Sequence, residues 1–263
     1  MKIALIKGDG IGPEISDVAC AVMKLLVPDI EFQEVMAGEQ ALAAKGSLLP
    51  EETLKTIAEC KLAIKGPLNT PSAGGFRSIN VTLRQHFKLY ANVRPVKSYP
   101  NASKRYDDVD LVLFRENVEG LYSGEGQVLL HNSEVTQDLN KADRAEAKSV
   151  VTRKGCEQII RAAYEYAINN KRKKVTIVHK SNILKTTSGL FLSVGKQIAE
   201  EYPQIETETM IADAVAMKLV INPKNFDVLV TTNFVGDVLS DLCAGLIGGL
   251  GLAPGANVGD DVY

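Results

Sequence analysis

The chain has 263 residues, with 30 Lys and Arg against 32 Asp and Glu and a formal net charge of −2. At 45% apolar and 24% charged residues it has the composition of a folded globular chain, which excludes disordered, fibrous and collagen-like classes. The near-neutral balance speaks against nucleic acid or an anionic membrane surface as the main partner, and the length allows one or two domains.

The amino end, MKIALIKGDG, turns polar too soon for a secretion signal, and no apolar run approaches a membrane span. Lys2 to Lys7 reads as a strand closed by Gly8-Asp9-Gly10. A helix should follow, with Pro13 in its first turn and Ile15, Val18, Val22, Leu25 and Leu26 on one stripe. Next come a strand over Ile30 to Met36, a helix over Glu51 to Cys60 and a strand over Leu62 to Lys65. Gly66 to Gly75 has the chemistry of a surface loop, and Arg94 to Ser103 that of a crossing between domains. Asp110 to Phe114 is a clear strand; Gly124 to Arg144 is polar and reads as an excursion that pairs with another subunit. Helical patterns at Lys154 to Ala167 and Leu190 to Glu201 alternate with strands at Val175 to Val178 and Asp227 to Val230. Such alternation implies an α/β fold with a largely parallel sheet. The four cysteines are scattered, which suits reduced thiols in a reducing, intracellular compartment. The KRKK run at Lys171 to Lys174 reads as the polar end of a helix and loop.

Gly8, Gly10 and Gly12 invite a dinucleotide-binding reading, but Pro13 occupies the place of the third small residue, so the fingerprint fails. A tight turn that brings Ile11 near a ligand and an ordinary strand-to-helix turn fit equally well. Ser78, Asn80, Arg84 and Arg94 share one short stretch, and Arg115 ends the apolar strand DLVLF. Guanidinium forks match carboxylates bidentately, so this set suits a small polycarboxylate; solvated helix arginines are the alternative for any one of them. Asp237 and Asp241 lie one turn apart on a helix face, and Asp213 follows a strand. Carboxylates without His or Cys suit Mg²⁺ or Mn²⁺ rather than zinc, although a solvated acidic face has the same spacing. Arg115 with Tyr122, Lys180 with Asn182, and Asn233 with Asp237 all follow strands, where ligands bind in parallel α/β sheets. His179 is expected to be a packed strand-end residue.

The segments GDGIGPE, KGPLNTP, FRSINVTLRQHFKLYANVRP, FRENVEGLYSG, VTIVHKSNILK, IADA and NFVGDVLSDLCAGLIGGLGLAPGANVGDD carry a resemblance from Met1 to Tyr263. In order and spacing the chain resembles the metal-dependent β-decarboxylating dehydrogenases, the isocitrate and 3-isopropylmalate dehydrogenase family. Ser78 and Asn80 ahead of Arg84 look like the isocitrate pattern, and the compact length resembles the NAD-dependent branch. The resemblance implies the family's two-domain fold, distinct from a Rossmann fold, with residues 1–95 as the first part of a large cofactor-side domain. Residues 96–242 would form a small substrate and dimer domain, and 243–263 would begin the return to the first. It implies oxidative decarboxylation of isocitrate to 2-oxoglutarate with NAD, leaving NADP open, and with Mg²⁺ or Mn²⁺. Arg84, Arg94 and Arg115 would hold carboxylates, with Ser78 and Asn80 on the distal one. Asp237 and Asp241 would hold the metal with Asp213 of a second subunit. Lys180, also from that subunit, would be the base and Tyr122 the acid. Ile11, Thr70 and Asn182 would lie by the nicotinamide. A homodimer or higher homo-oligomer with shared sites is implied, in the cytoplasm or the mitochondrial matrix. Homoisocitrate or isopropylmalate dehydrogenase, a non-catalytic regulatory subunit and a truncated pseudoenzyme are the alternatives. Family members continue past the GDD segment into a loop that cradles adenosine, so this sequence is expected to be a fragment or a truncated relative.

Overall fold

The computed structural model describes residues 1–69, 78–103 and 105–263. They form two compact units, Met1–Leu89 with Val258–Tyr263, and Tyr90–Asn257. The divisions fall at 89/90 and 257/258, where the sequence suggested 95/96 and 242/243.

In chain order the first unit has β1 (Lys2–Ile6), α1 (Gly12–Leu26), β2 (Glu31–Glu34), α2 (Glu39–Lys45), α3 (Glu51–Cys60), β3 (Ala63–Lys65) and α4 (Ile79–His86). The strands are parallel in the order β2-β1-β3, and central β1 is buried beyond Lys2, as its unbroken apolar run requires. Ala4, Ile6, Ile57, Ile79 and Leu83 share a core with Val262. The last residue joins this unit too: Tyr263 N–H donates to Lys61 O at 2.9 Å, and Ala63 N–H donates to Tyr263 O at 3.0 Å.

Helix α1 begins with Pro13 in its first turn, but the apolar stripe is not its buried face. Ile15, Val18, Val22, Leu25 and Leu26 are 46–82% exposed among the described residues, while Gly12 and Ser16 point inward. The reason is close approach: a Cβ on Gly12 would lie 2.3 Å from the Lys7 carbonyl oxygen, and Ser16 Oγ donates to that same oxygen at 3.2 Å. Periodicity located the helix and its apolar stripe, which is exposed among the described residues.

The second unit continues with β4 (Ala91–Lys97), β5 (Asp110–Glu116), β6 (Val128–His131), β7 (Glu134–Thr136), β8 (Arg144–Glu146), α5 (Arg153–Asn169), β9 (Lys174–His179), α6 (Thr187–Ala199), β10 (Glu206–Ile211), α7 (Ala212–Ile221), β11 (Val228–Thr231), α8 (Asn233–Leu246) and β12 (Ala256–Val258). Its main sheet runs β10-β9-β11-β5-β4-β12, parallel through the first four strands and antiparallel between β5 and β4. The expected domain crossing at Arg94 to Ser103 is therefore a strand for its first part. Full-length pairing with apolar β5, Ala91 opposite Glu116 through Lys97 opposite Asp110, outweighs the turn signals of Pro95 and Pro100.

Alternation along β5 splits its side chains between two faces. Leu111 and Leu113 pack with Leu229, Val215, Leu219 and Leu239 of β11, α7 and α8, while Phe114 meets Tyr166 of α5. Thr152 caps α5, its Oγ1 accepting from Gly155 N–H at 3.0 Å. The Gly124–Arg144 excursion contains most of a small antiparallel sheet, β7-β6-β8. The KRKK run links α5 to β9, and Arg172 within it bridges Asp110 at 2.5 Å and Asp227 at 3.1 Å. All four cysteines are free, and burial pushes the Cys156 and Cys243 thiols up to about 12, which leaves them protonated and unreactive. Among the described residues no helix is long and apolar enough to cross a membrane.

Candidate active site

Parallel pairing of β11 with β5 sets Thr231 opposite Arg115, so the carboxyl ends of both strands open at one level. Arg115 is only 2% exposed. A guanidinium so placed must satisfy its donors within the protein. Its Nε and Nη2 donate to Asn233 Oδ1 at 3.1 and 2.8 Å, and Nη1 pairs with Asp237. The cation also lies over the Tyr122 ring, 5.1 Å from its centroid. Tyr122 Oη donates to the other Asp237 oxygen. Burial, then this hydrogen bond, pushes the Tyr122 phenol above its usual range, so the hydroxyl keeps its proton.

Asp241 is exposed one turn further along α8. Arg94, on β4, is half-buried, and among the described residues it has no carboxylate at ion-pair distance. Burial and the like charge of Arg115 lower its pKa, opposed by Asp241 and Asp237. Two neighbouring guanidiniums, one without an anion, make a receptive place for carboxylate. Arg94 is held from behind: its Nε donates to Asn92 Oδ1, Asn92 Nδ2 donates to Asn257 Oδ1, and Asn117 Nδ2 donates to that same oxygen, each at 2.9 Å.

The turn after Arg115 is set by Glu116, which accepts from Val118 N–H at 2.7 Å and Glu119 N–H at 3.0 Å. Burial raises its carboxyl to about 7 against the pull of these backbone donors. Glu119 in turn accepts from Thr152 N–H at 2.8 Å and Thr152 Oγ1 at 2.5 Å, tying the turn to α5.

Lys180 and Asp213 stand at the ends of neighbouring strands β9 and β10, where Nζ and Oδ1 are 2.5 Å apart. This pairing holds the Asp213 carboxyl below the usual range. Among the described residues no three His, Cys, Asp or Glu side chains converge as a metal site, so Asp213 does not join Asp237 and Asp241 within one chain. The helix pair Asp237 and Asp241 nevertheless offers only oxygen donors, which fits a hard divalent cation. Asn182 is exposed in the turn after β9, and His179 is a half-buried strand-end residue as expected, its pKa lowered by burial.

In the first unit Gly8 adopts φ +86°, and a Cβ there would lie 2.1 Å from Pro67 O. This is a close-packed turn rather than a phosphate fingerprint, and it leaves Ile11 exposed at the start of α1. Ser78 precedes α4, with Asn80 in its first turn and Arg84 one turn later. Asn80 Oδ1 is buried with no hydrogen-bond partner among the described residues. Thr70 and most of the expected Gly66–Gly75 loop lie outside the described residues.

Asn92, Asn117, Asn257, Glu116, Glu119 and Gly236 were not singled out from the sequence. Neutral amides have no distinctive spacing, and only the FRENVEG and PGANVG segments marked their neighbourhood.

A two-unit α/β chain with arginines, a protonated tyrosine and helix-borne aspartates beyond its strand ends is the framework of an enzyme acting on a small polycarboxylate. The isocitrate/isopropylmalate dehydrogenase family profile matches residues 2–263, and the chain belongs to that family of decarboxylating oxidoreductases. It is similar to the crystal structure of an isocitrate dehydrogenase from Methylococcus capsulatus, with TM-score 0.93 and 52% identity, covering 99% of this chain and 75% of that one. It is 42% identical over 261 residues to a chloroplastic 3-isopropylmalate dehydrogenase of Solanum tuberosum, covering 99% of this chain and 70% of the relative. It is 43% identical over 262 residues to a mitochondrial NAD isocitrate dehydrogenase catalytic subunit of Arabidopsis thaliana, covering 99% and 67%. A homoisocitrate dehydrogenase of Methanocaldococcus jannaschii and an isocitrate/homoisocitrate dehydrogenase of Thermus thermophilus match at 41% and 43% identity.

Proposed function

We propose that this chain carries the substrate- and metal-binding part of an NAD-dependent isocitrate dehydrogenase, which oxidises isocitrate and releases CO₂ to give 2-oxoglutarate. The observation that carries the substrate choice is the start of α4: a serine, then an asparagine whose buried Oδ1 has no partner among the described residues, one turn ahead of Arg84. A hydroxyl and an amide suit a third carboxylate, whereas the isopropyl group of isopropylmalate calls for apolar side chains. Ser78 and Asn80 bind that distal carboxylate, and Arg84, Arg94 and Arg115 hold the others.

Asp237 and Asp241, with Asp213 of a second copy, would hold Mg²⁺ or Mn²⁺ through oxygen donors alone. Such a cation would supply a Lewis acid for charge developing on the substrate oxygens, and a bound nicotinamide would supply the acceptor for the hydride. Lys180 of the second copy takes the hydroxyl proton, released from its ion pair once Asp213 is otherwise engaged. Tyr122, kept protonated beside Asp237, returns a proton to carbon after CO₂ leaves. Ile11 and Asn182 would flank the nicotinamide.

Two observations support a homodimer that shares sites. Lys180 and Asp213 are paired apart from Asp237 and Asp241 within one chain. Met217 and Ile221 of α7 and Phe234 and Val238 of α8 are exposed apolar groups on helices that contact each other. One relative is named as a regulatory subunit, so a heteromer is the second reading.

The protein from the complete reading frame should be assayed with NAD and Mn²⁺ on isocitrate, homoisocitrate and 3-isopropylmalate. Isocitrate should give kcat/KM at least about tenfold above either competitor. Equal or inverted values would overturn the assignment, and no turnover at all would favour the regulatory reading.

A further inference from the structure

We infer that Asn257 is a positioning residue which, through Asn92, aims the Arg94 guanidinium at a substrate carboxylate. Its importance to catalysis rests on the function proposed above; its effect on Arg94 does not. The polarity of the chain of amides follows from hydrogen-bond chemistry. A guanidinium can only donate, so the Asn92 atom facing Arg94 Nε is Oδ1. Asn92 Nδ2 then points away and needs an acceptor, which is Asn257 Oδ1. That oxygen also receives Asn117 Nδ2, so one atom orients two amides that are each 2% exposed and sheltered from solvent.

The same segment supports Arg94 a second way. A Cβ on Gly255 would lie 3.0 Å from both Cδ and Nε of Arg94, so bare backbone backs the arginine stem. Restraint matters here because Arg94 feels the charges of Asp241 and Asp237, which favour its cation, and of Arg115, which opposes it. Untethered, a long flexible cation moves towards those carboxylates and stops being available to an anion. Holding Nε–H leaves the two Nη groups as a fork at a fixed angle.

The test compares Asn257→Leu, of similar size without an acceptor, with Asn257→Asp, which can only accept and so preserves the polarity of the chain. Asn257→Leu should raise the isocitrate KM by roughly tenfold or more, as loss of a buried acceptor predicts, with kcat and the NAD KM little changed. Asn257→Asp should restore the KM to within about threefold of wild type, because the acceptor oxygens remain. An unchanged KM in Asn257→Leu, equal damage in both variants, or equal losses in kcat and NAD KM would each overturn the inference. Independently of turnover, Arg94 Nε–H should exchange slowly with solvent in ¹⁵N spectra of the wild type and Asn257→Asp and fast in Asn257→Leu. Fast exchange in the wild type would overturn it even if Asn257→Leu failed to fold. If the wild type oxidised none of the three acids, the proposed function would fall while this exchange measurement still judged the tether.

Discussion

Gly236 on α8 lies directly against the side chain of Arg115: a Cβ at Gly236 would come within 2.5 Å of Arg115 Cγ and 2.7 Å of its Cβ. The buried guanidinium reaches Asn233 and Asp237 because α8 presents no side chain at that point.

Gly236→Ala should therefore destabilise, although alanine in a helix interior ordinarily gains about 1 kcal/mol over glycine. Overpacking against a fixed arginine should cost about 1–3 kcal/mol and displace the groups around Tyr122. A lowered melting temperature with reduced kcat is the expected result. A melt above wild type would mean that Arg115 is free to shift.

Glu116 gives a stability signature in pH. Its carboxyl titrates near 7 in the folded chain against 4.5 ordinarily. Between those values the folded state holds a proton that the unfolded chain has released, so stability falls as pH rises through that window, by up to about 3 kcal/mol. Glu116→Gln cannot ionise and should flatten this contribution. Urea midpoints at pH 5 and pH 8 decide it: identical pH dependence in both proteins would refute the raised value.

The two aspartates of α8 should separate in their effects. Asp237→Asn and Asp241→Asn should both weaken Mn²⁺ binding, each removing a charged oxygen. Only Asp237→Asn should also lower thermal stability, by about 1–2 kcal/mol, because it leaves the buried Arg115 charge less compensated and Asp237 is itself partly solvated. Calorimetric Mn²⁺ titration showing unchanged affinity in both variants would return them to an ordinary acidic helix face.

Ser78→Leu should raise the isocitrate KM by roughly tenfold, removing a hydrogen bond and adding apolar bulk beside a carboxylate. A gain on isopropylmalate would accompany it if Ser78 selects the third substituent. An unchanged KM on both acids would place that selection elsewhere.

Strand and helix order was legible because IALI, DLVLF, VTIV and DVLV are short, largely apolar runs of strand length, rich in β-branched residues and bounded by polar or turn residues. Arg115, Tyr122 and Asp237 were legible as strand-end and helix-face positions, and they do meet. The direction in which α1 docks was not, since it depends on how closely Gly12 approaches Lys7 O, a backbone distance without a periodic trace. The pairing of β4 was hidden by its prolines, and the Asn92–Asn257–Asn117 links join residues 140 and 165 positions apart. Long-range hydrogen bonds between neutral side chains have no local pattern to read.

The pairing of Tyr263 with Lys61 and Ala63 makes the first unit discontinuous, with all of Tyr90–Asn257 intervening between its two parts. Closing a flexible loop of that length costs about 4–5 kcal/mol in chain entropy, on top of a constant. Once β4 and β12 lie side by side in one sheet, the residues entering and leaving the second unit are already neighbours, and that cost has been met. Assembly should thus be sequential: the edge beside β3 can pair with Tyr263 cheaply only after the second unit has formed. Pulse-labelled hydrogen exchange should find amides of β5, β9 and β11 protected before those of Ala63 and Tyr263.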